Sequence, residues 1–355
     1  MKSSKAFLSW FAALAVVCWL AGLHPLSSAA ILHVANNGVD TGLCGSGSHP
    51  CRSISEALAR AAYGDTIVVG PGVYGDLNGD GVLGDSPGEE IQAEDCVCMI
   101  RINKPVTLIS STGAEATIID AKALKHDMYT VQIEASNVTF GEAGKGFTVT
   151  GTSDNSSAPY AYAGIYVSAG SGITVAGNQV LGISFYNPGY GSYGVEIDPS
   201  AGVVTIQGNQ VIGWAIAGIS GGPQTTINNN TVALTTLDSG IITNGATVSG
   251  NLVTGNPQGI YLTQGGMVSG NAIVGNYNQG IYANDALGSA VGNNIFGNGC
   301  GLFASVAGWV ADNNYWGAAT GPGVRPADSI CAGSAPAVVA PYATTPFSVK
   351  VKIVP

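Results

Sequence analysis

Residues 239–303 read SGIITNGATVSGNLVTGNPQGIYLTQGGMVSGNAIVGNYNQGIYANDALGSAVGNNIFGNGCGLF. Two columns recur in this stretch. Gly-Ile-Ile-Thr begins at Gly240, Gly-Ile-Tyr-Leu at Gly259, Gly-Ile-Tyr-Ala at Gly280 and Gly-Leu-Phe-Ala at Gly301. Between them run VSGNLV with Asn251, VSGNAI with Asn271 and VGNNI with Asn293. Upstream the first column continues through Gly164, Gly194 and Gly218, and the second through Asn178, Asn209 and Asn230; downstream ADNNY carries Asn313. The later glycine spacings are 19 to 24 residues and most asparagine spacings are 20 to 22. A fixed period of this size marks a stacked solenoid.

Each period holds three apolar pieces separated by Gly, Asn and Ser. The pieces are strand-length, and their β-branched residues favour strands. Three strands per turn, stacked at about 4.8 Å per coil, give an all-β fold: a single-stranded right-handed parallel β-helix with three sheets and about 21 residues per coil. One coil cannot bury its apolar face alone, whereas a stack can. The recurring Asn is expected to point inward and share its amide with the coils above and below. It would satisfy turn groups that otherwise cost about 1–3 kcal/mol each when buried.

Solenoid ends need caps. SISEALARAA, residues 53–62, puts Ile54, Ala57, Leu58 and Ala61 on one helical face behind a Ser53 N-cap, and reads as the N-terminal plug. DTIVVGPGVY, residues 65–74, is the first strong strand and turn. The repeat is expected to span residues 31–317. An irregular tail, residues 318–355 with Pro326, Pro336, Pro341 and Pro346, should cover the last coils together with Trp316.

The start of the chain reads differently. Lys2 and Lys5 precede an apolar run from Ala6 to Leu23 and then Ser27-Ser28-Ala29-Ala30. That order marks residues 1–30 as a secretory signal peptide; the alternative, a membrane anchor, fits less well because the apolar run is short and small residues follow it. Secretion is therefore expected. The remainder carries ten basic and 22 acidic residues, a net charge near −12. Such a balance argues against nucleic acid and against anionic membrane surfaces as partners. A monomer is expected. No Lys, Arg or His occurs between Lys145 and Arg325, so the central coils must be held by apolar stacking and amide hydrogen bonds.

Six cysteines follow the signal, and export favours disulfides. Cys44–Cys51 and Cys300–Cys331 are the expected pairs. Cys96 and Cys98 are spaced like neighbours on one strand face, where a mutual bond would be strained, so cross-pairing with Cys44 and Cys51 stays open. A zinc site on the four N-terminal cysteines is the rival reading, without a tight CxxC pair to support it.

PCRSISEALARAAYGDTIVVGPGVY, the V-x-G-N-x-V pieces and NNYWGAATGPG together resemble the pectin-lyase-like superfamily of secreted right-handed β-helix proteins. The resemblance covers nearly all of the chain after the signal. It implies the fold and a cleft on the outer face of one sheet beside long loops; it does not choose among lyases, glycosidases, epimerases, adhesins and carbohydrate-binding proteins. The enzymes' signatures are not matched. The expected cleft has no Arg or Lys in its coils, no aspartate trio with a histidine is present, and Tyr193-Gly194 and Asp198-Pro199 echo only fragments of the epimerase motif. His126 is the last histidine, so no Ser–His pair can form in the central coils.

Three groups could carry function. In DLNGDGVLGDSPGEE, residues 76–90, Asp76, Asn78 and Asp80 have the one-three-five spacing of a calcium loop with Gly81 at the turn. Val82 would give its carbonyl, and Asp85 or Glu89 (or Glu90) would replace the absent twelfth-position Glu. Calcium would order this insertion; a solvated acidic turn is the plainer reading. Second, side chains alternate along each Gly-Ile-Tyr strand. Gln132, Tyr166, Glu196, Ser220, Ile242, Tyr261, Tyr282 and Phe303 should form an outward column beside Glu134, Ser168, Asp198, Asn244, Thr263, Asn284 and Ser305. An aromatic stripe beside a polar one suits sugar rings, although cross-coil packing under loops would produce it too. Residues 151–163 and 183–193 interrupt the period before two of these strands and should bring Tyr160, Tyr162, Phe185, Tyr186 and Tyr190 to the same patch. Third, Glu196 and Asp198 share one strand face, with Glu134 two coils away. They could serve glycoside hydrolysis, or could be solvated surface acids. The sequence thus favours a polysaccharide-binding β-helix whose ligand residues are Tyr166, Tyr261, Tyr282, Phe303, Tyr186 and Tyr190. A polysaccharide-degrading enzyme and an adhesive surface protein are the alternatives.

Overall fold

The computed structural model describes residues 28–93, 95–124, 128–151, 162–182, 192–284 and 287–349. The signal segment 1–27, His126, and Tyr160, Phe185, Tyr186 and Tyr190 of the two interrupting segments lie outside them, as does the side chain of Tyr162.

The chain winds as a right-handed parallel β-helix with three sheets of twelve, nine and nine strands. Every described strand pairing is parallel and joins one coil to the next. The sheet that matters most below contains Cys98–Ile102, Tyr129–Ile133, Tyr162–Val167, Ser192–Ile197, Ala217–Gly221, Ser239–Thr243, Gln258–Leu262, Gln279–Ala283 and Cys300–Ala304. Its inward residues, among them Ile165, Val167, Val195, Ile219, Ile241, Ile260, Ile281 and Leu302, are fully buried. Each such side chain contributes roughly 1.5–3 kcal/mol of burial, so a coil is stable only with neighbours on both sides.

The glycine that opens each outward strand is a packing requirement. A Cβ on Gly194 would run into the Val211 side chain, and one on Gly164 would meet the Trp214 ring, which is itself fully buried. Trp214 donates from Nε1 to the Val180 carbonyl at 3.1 Å, so the indole is satisfied inside the core.

The asparagine ladder forms as the period implies. Asn178, Asn209, Asn230, Asn251, Asn271 and Asn293 each donate from Nδ2 to the Oδ1 of the next, at 2.9–3.1 Å. Each Oδ1 also receives the backbone N–H of the preceding Asn, for example Asn230 N to Asn251 Oδ1 at 2.8 Å. The last rung is a correction: it is Asn314, which accepts from Asn293 at 2.9 Å, while Asn313 is exposed and left-handed at φ 53°. The repeat bends away at this doublet and turns the second Asn inward. A second ladder escaped the sequence reading. Asn256, Asn276 and Asn298 repeat the pattern one turn along, and the buried carboxylate of Asp328 closes it at 2.8 Å.

The ends are plugged. Helix α1, Ile54–Arg60, starts at Ser53, whose hydroxyl accepts from Glu56 N at 3.1 Å, and buries Ile54, Ala57 and Leu58. Buried Glu90 accepts from Ile54 N and Ser55 N at 2.8 and 2.7 Å. Lys104 Nζ donates to the carbonyls of Leu58, Ala59 and Ala61 at 2.9, 2.9 and 3.0 Å. Glu90 supplies acceptors to the free N–H groups at the start of the helix, and the Lys104 cation at its end matches the helix dipole. At the far end Trp309 and Trp316 are fully buried, Ala337–Val338 pairs with Trp309–Val310, and Phe347 exchanges two bonds of 2.8 Å with the Asn294 amide.

All six described cysteines are oxidised, as Cys44–Cys51, Cys96–Cys98 and Cys300–Cys331. The adjacent pair bonds to itself rather than crossing to Cys44 or Cys51. That removes the thiolates a zinc site would need. The Asp40 carboxylate, which lies within 4.8 Å of Cys44 and Cys51, is instead spent on the N–H groups of Arg52 and Ser53 at 2.7 and 3.0 Å.

Candidate functional site

The outward column exists in register. Arg101 pairs with Gln132, Gln132 with Tyr166, Tyr166 with Glu196, Glu196 with Ser220, and the series continues through Ile242, Tyr261, Tyr282 and Phe303. All of these side chains are half-buried, between the buried inward residues on either side. Arg101 is the addition that sequence reading missed. It sits three rungs from Glu196 and is held by Glu134 through two bonds of 2.8 and 2.9 Å. Gln132 donates to the same Glu134 carboxylate at 3.0 Å. Glu134, expected as a possible third carboxylate, is therefore neutralised in a bidentate pair and faces its own end of the column.

Glu196 and Asp198 follow one another on the outer face of Ser192–Ile197 and its continuation, and their environments differ sharply. Asp198 Oδ1 accepts from Ser200 Oγ at 2.6 Å and Ser200 N at 2.8 Å, and Oδ2 accepts from Tyr166 Oη at 3.0 Å. These bonds, led by the Ser200 hydroxyl, hold the Asp198 carboxyl below the usual range. Among the described residues Glu196 Oε2 is buried without a hydrogen-bond partner. Burial, followed by the Asp198 charge, pushes its carboxyl up to about 7. Three tyrosines lie near it: Tyr129 and Tyr166, which stack at 4.2 Å between centroids, and Tyr193 on the same strand. Their phenols are raised, by burial first and by the nearby acids second. Tyr129 and Tyr193 lie off the Gly-Ile-Tyr pattern, so spacing alone did not single them out. Near neutral pH this strand holds a Glu196 carboxyl close to its midpoint beside an ionised Asp198 carboxyl.

Farther along, Tyr261, Tyr282 and Phe303 form a continuous ring ladder, with centroids 5.2 and 4.7 Å apart. Asn244 beside it, and Gln258 and Gln279 at the start of the same strands, each hold a buried amide oxygen without a partner among the described residues.

The acidic insertion uses its carboxylates on its own backbone. Asp76 accepts from Gly79 N and Gly81 N at 2.7 and 2.6 Å, and Asp80 from Val82 N at 2.8 Å. The Asn78 amide donates to Asp80 and Asp85 at 3.1 and 3.2 Å, and Glu89 accepts from Leu77, Asn78 and Ser86 N–H groups at 3.1–3.2 Å. Asp85 is raised by burial and then by Asp80. The expected calcium ligands are thus neighbours in one loop.

The family model described as periplasmic copper-binding protein (NosD) matches residues 115–322. No curated protein matches this chain in sequence. Similar solved structures include the GH136 lacto-N-biosidase from Eubacterium ramulus, 12% identical over 81% of this chain and 62% of that one, with a TM-score of 0.52. A rhamnogalacturonan lyase is 10% identical over 88% and 87%, with a TM-score of 0.47. Pectate lyase Pel9A is 17% identical over 90% and 80%, with a TM-score of 0.43. The likeness to the lacto-N-biosidase agrees with the three parallel sheets described above. No helix among the described residues is long and apolar enough to cross a membrane.

Copper in proteins is held by imidazole, thiolate and thioether donors. Among the described residues of the matched stretch there is no histidine, Cys300 is in a disulfide, Met128 is buried and Met267 is exposed and alone. His33 and His49 fall outside the stretch, and His49 Nδ1 is engaged by Ser48 Oγ at 3.0 Å. The donors among the described residues do not fit a copper site.

Proposed function

Since this chain belongs to the NosD family, we propose that it works outside the cytoplasm, exported by residues 1–30, as a β-helix whose outward column binds polysaccharide. The observation that carries this reading is the unbroken column from Tyr166 to Phe303, half-exposed and ending in three stacked rings. Rings packed on one another at coil spacing present a continuous apolar ridge against which sugar rings can pack. The neighbouring Asn244, Thr263, Asn284 and Ser305 offer hydroxyl and amide partners, and the orphan oxygens of Asn244, Gln258 and Gln279 are acceptors that sugar hydroxyls would satisfy. Calcium is proposed to order residues 76–90 and has no assigned part in binding.

The test is a glycan array and polysaccharide pull-down with the secreted chain, beside Tyr261→Ala and Tyr282→Ala. Binding that each substitution weakens about tenfold or more supports the reading. Absence of binding to every glycan overturns it.

A further inference from the structure

We propose that the same face hydrolyses a neutral glycan, with Glu196 as general acid and Asp198 as general base. The proposal rests on the reading that the column binds saccharide, and adds a reaction to it.

Three features of the geometry carry it. Both side chains leave one strand face two residues apart, about 6.6 Å between their backbone positions along the strand, a spacing from which an acid and a base can flank a water. Asp198 is fixed by Ser200 and Tyr166 through three hydrogen bonds, so its orientation is set before any ligand arrives. Glu196 Oε2 is buried and unpartnered among the described residues, next to the stacked Tyr129 and Tyr166 rings. A buried oxygen left without a partner is costly in a resting structure; a glycosidic oxygen is a group that a protonated Oε2 would serve. The ionisation pattern agrees, since two acids pushed in opposite directions are the arrangement that divides acid from base. Among the described residues, the groups facing Glu196 are Asp198 and Tyr193 on its own strand, Tyr166 and Tyr129 on the preceding coils and Ser220 on the next, with Asp238 beyond Tyr193.

In the reaction, the bond between the anomeric carbon and the glycosidic oxygen breaks. Its electron pair goes to that oxygen, which takes the Glu196 proton. A water oxygen bonds to the anomeric carbon and gives its proton to Asp198. One water is consumed, and solvent returns the proton from Asp198 to Glu196.

The same residues argue against uronate substrates. No Lys or Arg occurs between Lys145 and Arg325, and Arg101 is already paired with Glu134 and Asp95. A substrate carboxylate would meet the Asp198 charge with nothing to neutralise it, and an elimination at a uronate would lack its electrophile.

The experiment incubates the full secreted chain with β-glucan, arabinoxylan, galactomannan and xyloglucan, with polygalacturonate and alginate as anionic controls. Reducing ends are measured from pH 4 to 9, and binding to each polymer is measured in parallel. The expected result is release from at least one neutral polymer that the protein binds, falling as pH rises through about 7. Glu196→Gln and Asp198→Asn should each lower the rate about 10²–10⁴-fold while binding is retained. Binding without release from any neutral polymer overturns the catalytic proposal and leaves the binding reading intact, as does either variant keeping the parent rate. Loss of binding to every polymer overturns both.

Discussion

Replacing Glu196 by Gln should stabilise the protein above neutral pH. The folded chain holds this carboxyl protonated to about pH 7, whereas the unfolded chain releases it near 4.5. Between those values the folded state binds the extra proton. The stability that comes with it is complete below pH 4.5 and is lost as pH rises through 7. At about 1.36 kcal/mol per pH unit the ceiling is roughly 3.4 kcal/mol. Glu196 keeps part of its surface open to solvent, so screening reduces the expected effect to about 1–2 kcal/mol. Gln has the shape of the protonated acid and does not titrate. Parent and variant should therefore unfold together at pH 4 and separate progressively to pH 8.5, with the variant more stable. Urea unfolding followed by tryptophan fluorescence is the assay, because Trp214 packs against Gly164 and Gly194 of the relevant coils. Equal stability at pH 8.5, or a less stable variant, would refute the argument that burial holds Glu196 neutral, and with it the acid role.

Other expectations concern the frame. Asn251→Ala removes three donated bonds and two accepted ones from the middle of the ladder; a loss of about 3–5 kcal/mol is expected in urea unfolding, against about 1 kcal/mol for Asn313→Ala, where only the left-handed backbone is penalised. Glu90→Ala strips the N–H groups of Ile54 and Ser55 of their acceptor, and hydrogen exchange across residues 54–60 should rise at least tenfold while exchange in residues 239–283 stays unchanged. Millimolar calcium should slow proteolysis within residues 76–90, an effect that EDTA reverses and Asp76→Asn with Asp80→Asn abolishes; equal cleavage in calcium and EDTA would dismiss calcium from this loop.

The coils were legible because each repeats one physical demand: an inward Asn for the turn, a Gly where a Cβ would strike the core, and an alternating strand between them. The legibility fails where phase is lost. Asn313 and Asn314 are adjacent, and only the exit of the chain from the last coil decides which turns inward. The Asn256, Asn276 and Asn298 ladder was written in the sequence as Gly-Asn pairs spaced 20 and 22 residues apart, but its closing Asp328 comes from the tail and shares no motif with it. Arg101 and Glu134 stand 33 residues apart on neighbouring coils, off the period of about 21 that holds farther along, so their pairing could be found only in three dimensions. The strongest case is Glu196. Val-Glu-Ile-Asp-Pro says that two acids share a face, and nothing more. That one is buried and the other bonded depends on Tyr129 and Tyr166 from earlier coils and on Ser200 beyond the strand. Motif strength is therefore a poor guide to the site in a solenoid, because each rung of the surface is assembled from residues about 21 or more positions apart, and the chemistry is set by that cross-coil neighbourhood.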